Sequence, residues 1–173
     1  MWKNRTFLAL AVAAVQLIFV ASPIAALDRP EAVQGKAERH CVVSVEDNGR
    51  GTLETNSETC FETALEASSA AEKLVATGER SSRSAGNTVI GLHYTSKNFL
   101  GSSVTVVGTT CSGGVWYPTG FWNNNIESSR HYCGSAGTTF YNWSSCGGST
   151  RTITSAATSL GNLNNRASCV RYG

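Results

Sequence analysis

From residue 88 to its end at 173 the chain is nearly free of negative charge: Glu127 stands alone against Lys97, Arg130, Arg151, Arg166 and Arg171. A carboxylate pair flanking a scissile bond, as glycoside hydrolysis requires, therefore cannot come from this region. No two cysteines have C-x-x-C spacing, and His40, His93 and His131 stand apart, so no zinc cluster is legible. There is no G-x-S-x-G elbow and no local pairing of a histidine with an acid. An enzyme is not expected. Long apolar runs are also missing, with one exception at the start, FLALAVAAVQLIFVA at residues 7–21. Preceded by Lys3 and Arg5 and followed by SPIAAL, it reads as a secretory signal peptide over residues 1–26, cut after Ala26. No later run approaches the ~20 apolar residues of a membrane span, so a soluble, secreted product with no membrane span is expected.

What is present divides the remaining chain in two. Residues 27–87 carry 11 acidic and 7 basic side chains, whereas the rest is basic. GERSSRSAGN, residues 78–87, has the composition of a linker. All six cysteines, Cys41, Cys60, Cys111, Cys133, Cys146 and Cys169, lie beyond the signal, and an even count in an exported chain argues for disulfides.

The acidic segment opens with LDRPEAVQGKAER, an aperiodic leader or short propeptide. CVVSV then has strand character, and the Asp-Asn-Gly at Asp47 reads as a turn. Thr59 followed by Glu62 has capping-box spacing, and Phe61, Ala64, Leu65, Ala71, Leu74 and Val75 share a helical face ending at Gly78. The spacing predicts a helix of about 18 residues with Cys60 in its first turn. Its acidic face is either solvated or docked on the basic region.

The basic region alternates in short runs such as TVIGLHY, SSVTVVG, TTFYNW and STRTITS, which predicts an all-β domain over residues 88–173. It also repeats. YTSKNFLG (Tyr94–Gly101) recurs as YNWSSCGG (Tyr141–Gly148), displaced by 47 residues. NNIESS (Asn124–Ser129) recurs as NNRASC (Asn164–Cys169), displaced by 40. Two copies, residues 88–130 and 131–173, suit a pair of four-stranded Greek keys packed as a sandwich.

These strings resemble the βγ-crystallin domain, including its secreted bacterial members, through Y-x-x-x-x-F-x-G at Tyr94, Phe99 and Gly101 and N-N-x-x-S-S ending at Ser128 and Ser129. The resemblance implies a mainly β, Greek-key sandwich of βγ-crystallin type with a small N-terminal strand-helix appendage. It implies a folded-over hairpin whose glycine takes a conformation closed to side chains and whose aromatic packs beneath the corner, with Ser129 bonding back to it. In the second copy Cys146 takes the place of Phe99 and Cys169 that of Ser129, so the resemblance implies a Cys146–Cys169 disulfide. With it go Cys111–Cys133 in the first unit and Cys41–Cys60 in the acidic segment.

The resemblance further implies two candidate calcium sites. The first comprises Asn124, Asn125, the carbonyl of Ile126 and Ser128; the second comprises Asn164, Asn165, the carbonyl of Arg166 and Ser168. Oxygen donors suit calcium, but with no aspartate in either motif the expected affinity is about 10⁻³ M or poorer. The competing reading has these Asn and Ser side chains capping their own turns. Calcium is the one cofactor suggested, and none is required.

The insert CSGGVWYPTGFW gathers Trp116, Tyr117, Phe121 and Trp122 without charge. Exposed, they are anchors for a partner; inward, they are core; two of each are expected. Three functions follow. The first is a non-enzymatic structural or binding module, and the second an extracellular proteinase inhibitor, since small secreted metalloproteinase inhibitors resemble this fold. The third is an antimicrobial or toxin-like protein. A protease or an anionic cell-surface polymer is the expected partner, and nucleic acid is not.

Overall fold

The computed structural model describes residues 37–78, 87–109, 111 and 113–173. The expected signal peptide, the leader up to residue 36 and most of the expected linker lie outside the described residues. Ten strands form one sheet: β1 (His40–Asp47), β2 (Thr52–Phe61), β3 (Thr88–Ser96), β4 (Leu100–Gly108), β5 (Gly114–Trp116), β6 (Ser128–His131), β7 (Thr138–Tyr141), β8 (Thr150–Ile153), β9 (Ala156–Ala157) and β10 (Cys169–Tyr172). One helix, α1 (Ala64–Gly78), accompanies them. The sheet order is β8-β7-β10-β5-β2-β1-β4-β3-β6-β9, curved nearly into a closed barrel.

Two sets of four strands mirror each other in that order. In the first, β4-β3-β6 come from the first repeat, and the outer place is taken by β9 from the second. In the second, β8-β7-β10 come from the second repeat, with β5 supplied by the first. Each repeat therefore lends a strand to the other, and neither set is complete without its neighbour.

The N-terminal hairpin joins the two sets. β1 runs parallel to β4 with Cys41 opposite Val104, and the start of β2 runs parallel to β5 with Leu53 opposite Trp116. The turn between them is the expected Asp-Asn-Gly, with Gly49 at φ 74° and its amide donating to Asp47 Oδ1 at 2.9 Å.

The expected helix start is corrected by four residues. Thr59 and Cys60, expected at the start of the helix, lie in β2, a ten-residue strand to which the sequence reading had assigned no element before Thr59. The capping box is Thr63 and Glu66: the Glu66 amide donates to Thr63 Oγ1 at 3.2 Å, and the Thr63 amide donates to Glu66 Oε2 at 3.2 Å. The helix has 15 residues and buries Ala67 and Ala71 against Val42 of β1 and Val107 of β4. Cys60 pairs with Cys41 directly across the β1–β2 ladder.

Inside the sheet lies one apolar core containing Ile90, Val104, Val106, Ile126, Phe140 and Leu160, together with Trp116 and Trp122. The strands alternate in and out of it, as period-two patterning requires. At the corner of the β3–β4 hairpin Asn98 and Phe99 take φ of 59° and 63°, and Gly101 takes 75°. The β7–β8 hairpin repeats this with Cys146 at 56° and Gly148 at 79°. A Cβ on Gly101 would stand 2.7 Å from Thr95 Oγ1, and one on Gly148 would collide with Asn142 Oδ1. Glycine is required at both places by backbone angle and by space.

Each corner is tied down from downstream. Ser128 Oγ donates to the Ser96 carbonyl at 2.6 Å and accepts the Phe99 amide at 3.1 Å. At the second corner the tie is the Cys146–Cys169 disulfide. The third bond is Cys111–Cys133.

Replacing Cys146 and Cys169 together by serine is expected to lower unfolding stability by about 3 kcal/mol. Ser128→Ala, which breaks the corresponding tie in the first set, is expected to cost about 1–2 kcal/mol. Urea titrations of the two variants beside the parent chain measure both losses.

Candidate functional site

The asparagine-serine segments lie where the two repeats meet. The Asn124 amide donates to the Ala167 carbonyl and the Asn165 amide to the Ile126 carbonyl, both at 3.0 Å. Asn124 and Asn165 take matching φ of 56° and 55°, the left-handed region that asparagine tolerates better than most residues. Side chains cross in the same way: Ser168 Oγ donates to Asn124 Oδ1 at 2.8 Å, and Asn165 Nδ2 donates to Glu127 Oε1.

This exchange corrects the register of the second repeated string. Asn124 corresponds to Asn165, Ile126 to Ala167, Glu127 to Ser168 and Ser128 to Cys169, a displacement of 41 rather than 40. Strand pairing agrees, with Tyr94 opposite Ser128 and Tyr141 opposite Cys169. The third asparagine in the run Asn123–Asn125 let a string match slip by one place. The tie to the corner, assigned to Ser129, belongs to Ser128. The first segment also contains a carboxylate, Glu127, where the sequence alignment had placed a serine. Of the predicted ligands, the structure brings Asn124, Asn165 and Ser168 to this junction. The backbone carbonyl of Ile126 is engaged by the Asn165 amide, and the Arg166 amide bonds the Leu163 carbonyl at 3.0 Å. Asn164 Oδ1 accepts from Ser159 Oγ at 3.2 Å, which is turn capping of the kind the competing reading expected.

Ser129 serves a buried polar chain instead. Its Oγ lies 2.8 Å from His93 Nδ1, and His93 Nε2 lies 2.6 Å from Tyr172 Oη. The imidazole is fully buried between Trp116, stacked with ring centroids 5.8 Å apart, and the edge-on ring of Phe140 at 5.5 Å. Burial, with a smaller contribution from His131, lowers its pKa from 6.5 to about 3, and burial raises that of Tyr172 well above 10. At neutral pH the ring is uncharged, one nitrogen donating and the other accepting.

The aromatic insert divides into two core residues, one exposed and one half-buried, where two exposed were expected. Trp116 and Trp122 are core residues, and Trp122 Nε1 donates to Glu58 Oε1 at 2.8 Å. Tyr117 is 39% exposed, with its hydroxyl 3.7 Å from Cys146 Sγ. Phe121 is half-buried, edge-on to Trp122 and covered by the Arg39 guanidinium at 4.4 Å. A cluster of Cys41, Glu58 and Cys60 is no metal site, because both sulfurs belong to one disulfide. One pairing the sequence reading did not find is His40 with an acid: its Nε2 lies 3.9 Å from Glu38 Oε2.

Exchanged strands, two left-handed corners and crossed motif segments together define the architecture. The fold is mainly β, and βγ-crystallin domains are among the solved structures that it resembles. No protein-family model and no curated protein matches the chain. Among solved structures it is similar to the N-terminal domain of protein S, at 21% identity and TM-score 0.38 over 47% of this chain and 92% of that one. It is similar also to a double mutant of a βγ-crystallin domain from Clostridium beijerinckii, at 22% and 0.40 over 49% and 98%. A βγ-crystallin from an archaeon matches at 20% and 0.38 over 50% and 99%.

The buried histidine makes stability depend on pH. Between pH 6.5 and about 3 the unfolded chain takes up a proton at His93 that the folded chain refuses. Stability is therefore full above pH 6.5 and falls as pH drops through this window, with a slope approaching about 1.4 kcal/mol per pH unit from this group. Urea midpoints between pH 7 and 4 should show the fall, and His93→Gln should flatten it.

Proposed function

We propose that this is a secreted, non-enzymatic βγ-crystallin-like module, held by three disulfides, with a structural or binding role and one weak calcium site at the junction of its repeats. The observation that carries this reading is the crossed pair of oxygen-bearing segments, with Glu127 facing Asn165 and Ser168 facing Asn124. These are hard donors of the kind calcium takes, and the corrected register puts Glu127 at the ligand position that the string match had given to Ser128. The donor set fits best at the Glu127 end, where turning the Asn165 amide would present its oxygen beside the carboxylate. At the other end the donors, Asn124 and Ser168, are neutral and already bonded to each other, so that end is left to turn capping. One carboxylate is a small charge for a divalent cation, and an affinity near 10⁻³ M is expected.

A disulfide-stapled exported module of this kind suits persistence outside the cell, where thiols remain oxidised. The proteinase-inhibitor reading has one observation in its favour. Tyr117 lies exposed within the segment spanned by Cys111–Cys133, as a braced loop offering a side chain to a protease would require.

Titration calorimetry with calcium is expected to give a saturable heat in the millimolar range that Glu127→Gln removes while the fold persists. Absence of heat from the parent chain at 10 mM calcium (about ten times the expected dissociation constant) would reject the metal site. A tight stoichiometric complex with an extracellular protease, abolished by Tyr117→Ala, would move the assignment to inhibition.

A further inference from the structure

We propose that the groove between α1 and the outer face of β3 and β4 binds a single-chain amphiphile with a cationic head group. The space exists because of which residues face each other. The helix presents Ala64, Ala67, Ser68, Ala71, Val75 and Ala76 to the groove, all valine or smaller, with Glu72 the one larger helix side chain that lines it. Ala67 and Ala71 reach the sheet only over Val42 and Val107. Beyond that line the floor falls to Thr105 and Leu92, leaving a groove of about 980 Å³, the upper end of the range for small-molecule sites.

Its far wall is apolar and aromatic, made by Tyr94, Phe99, Leu100 and Tyr132. Leu100 is 63% exposed and Tyr132 51%, so two of the largest apolar side chains left in water on the described surface open onto the same space. A hydrocarbon chain laid along this wall would cover both.

The polar end fixes the sign of the head group. His40 Nδ1 lies 2.9 Å from Ser103 Oγ, and His40 Nε2 is 3.9 Å from Glu38, a loose contact that leaves the carboxylate free to take a ligand. Glu38 and Glu72 line the groove, and among the described residues no lysine or arginine does. Arg130 is engaged with the ring of Phe99, 4.0 Å from its centroid, and is not a lining residue. Ser103, His40 and Glu38 follow the order of a hydrolytic triad, but the Ser103 amide donates to the Arg39 carbonyl at 3.0 Å and is not free to hold an oxyanion. The arrangement serves recognition and not acyl transfer.

The test is calorimetry of the purified chain with decyltrimethylammonium and, separately, decanoate, both below micelle formation. Saturable one-to-one binding of the cation is expected, at least tenfold tighter than that of the anion. Ser68→Phe, a change at an exposed helix position that fills the groove, should remove binding with the thermal midpoint unchanged. Tyr132→Ser, on the exposed wall, should weaken it several-fold and serves should the first variant fold poorly. Glu38→Gln with Glu72→Gln should bring the two ligands to equal affinity. No saturable heat, equal binding of both charges by the parent chain, or full binding by Ser68→Phe and Tyr132→Ser would each overturn the proposal. So would concentration-dependent dimers that exclude the ligand, since the groove would then belong to a second copy.

Discussion

The structure depends on two hairpin corners that their own backbones disfavour. Phe99 and Cys146 occupy the left-handed region at a cost of order 1 kcal/mol or more each, and the glycines two places on complete the bend. Such corners persist only when something else over-determines them. In the first set that is the buried hydroxyl of Ser128, which meets both a carbonyl and an amide of the turn. In the second it is a covalent bond, Cys146–Cys169. Both ties come from the strand that closes the Greek key, so corner and key form together.

The same closing strands set the chemistry of the interior. Ser128 and Ser129 are neighbours on β6 facing opposite ways, one to the corner and one to His93. His93 reaches across to Tyr172 on β10, so a polar chain links the two sets through an otherwise apolar core. No buried side-chain nitrogen or oxygen among the described residues lacks a partner, which is what makes a neutral imidazole tolerable there. The exchanged strands β5 and β9 reinforce that link, and the N-terminal hairpin adds a second one by pairing β1 with β4 and β2 with β5. The helix side chains buried against β1 and β4 are Ala67 and Ala71, and the groove beside them stays open.

Alternation and repetition made the β domain and its βγ-crystallin likeness legible, because strands buried on one face must alternate and a duplicated unit keeps its corner residues. β2 was not legible. Apart from Leu53 it is exposed or half-buried along its length, so it carries no alternation, and its strand conformation comes from pairing with β1. Thr59-x-x-Glu62 and Thr63-x-x-Glu66 are equally good capping boxes as strings. What separates them is that Cys60 must face Cys41 across a ladder, which puts the helix start after it.

The sequence by itself determined the fold class, the positions of the corners and the cysteine pair that bridges the second of them, since backbone strain and disulfide chemistry act on particular residue types. Tertiary structure decided the register of the crossed segments, because three consecutive asparagines are interchangeable as letters but only one of them can be left-handed opposite Asn165. It also decided which aromatics are core, which strands are exchanged and that a groove exists at all. Those outcomes depend on contacts between segments dozens of residues apart, and no local pattern encodes a distance.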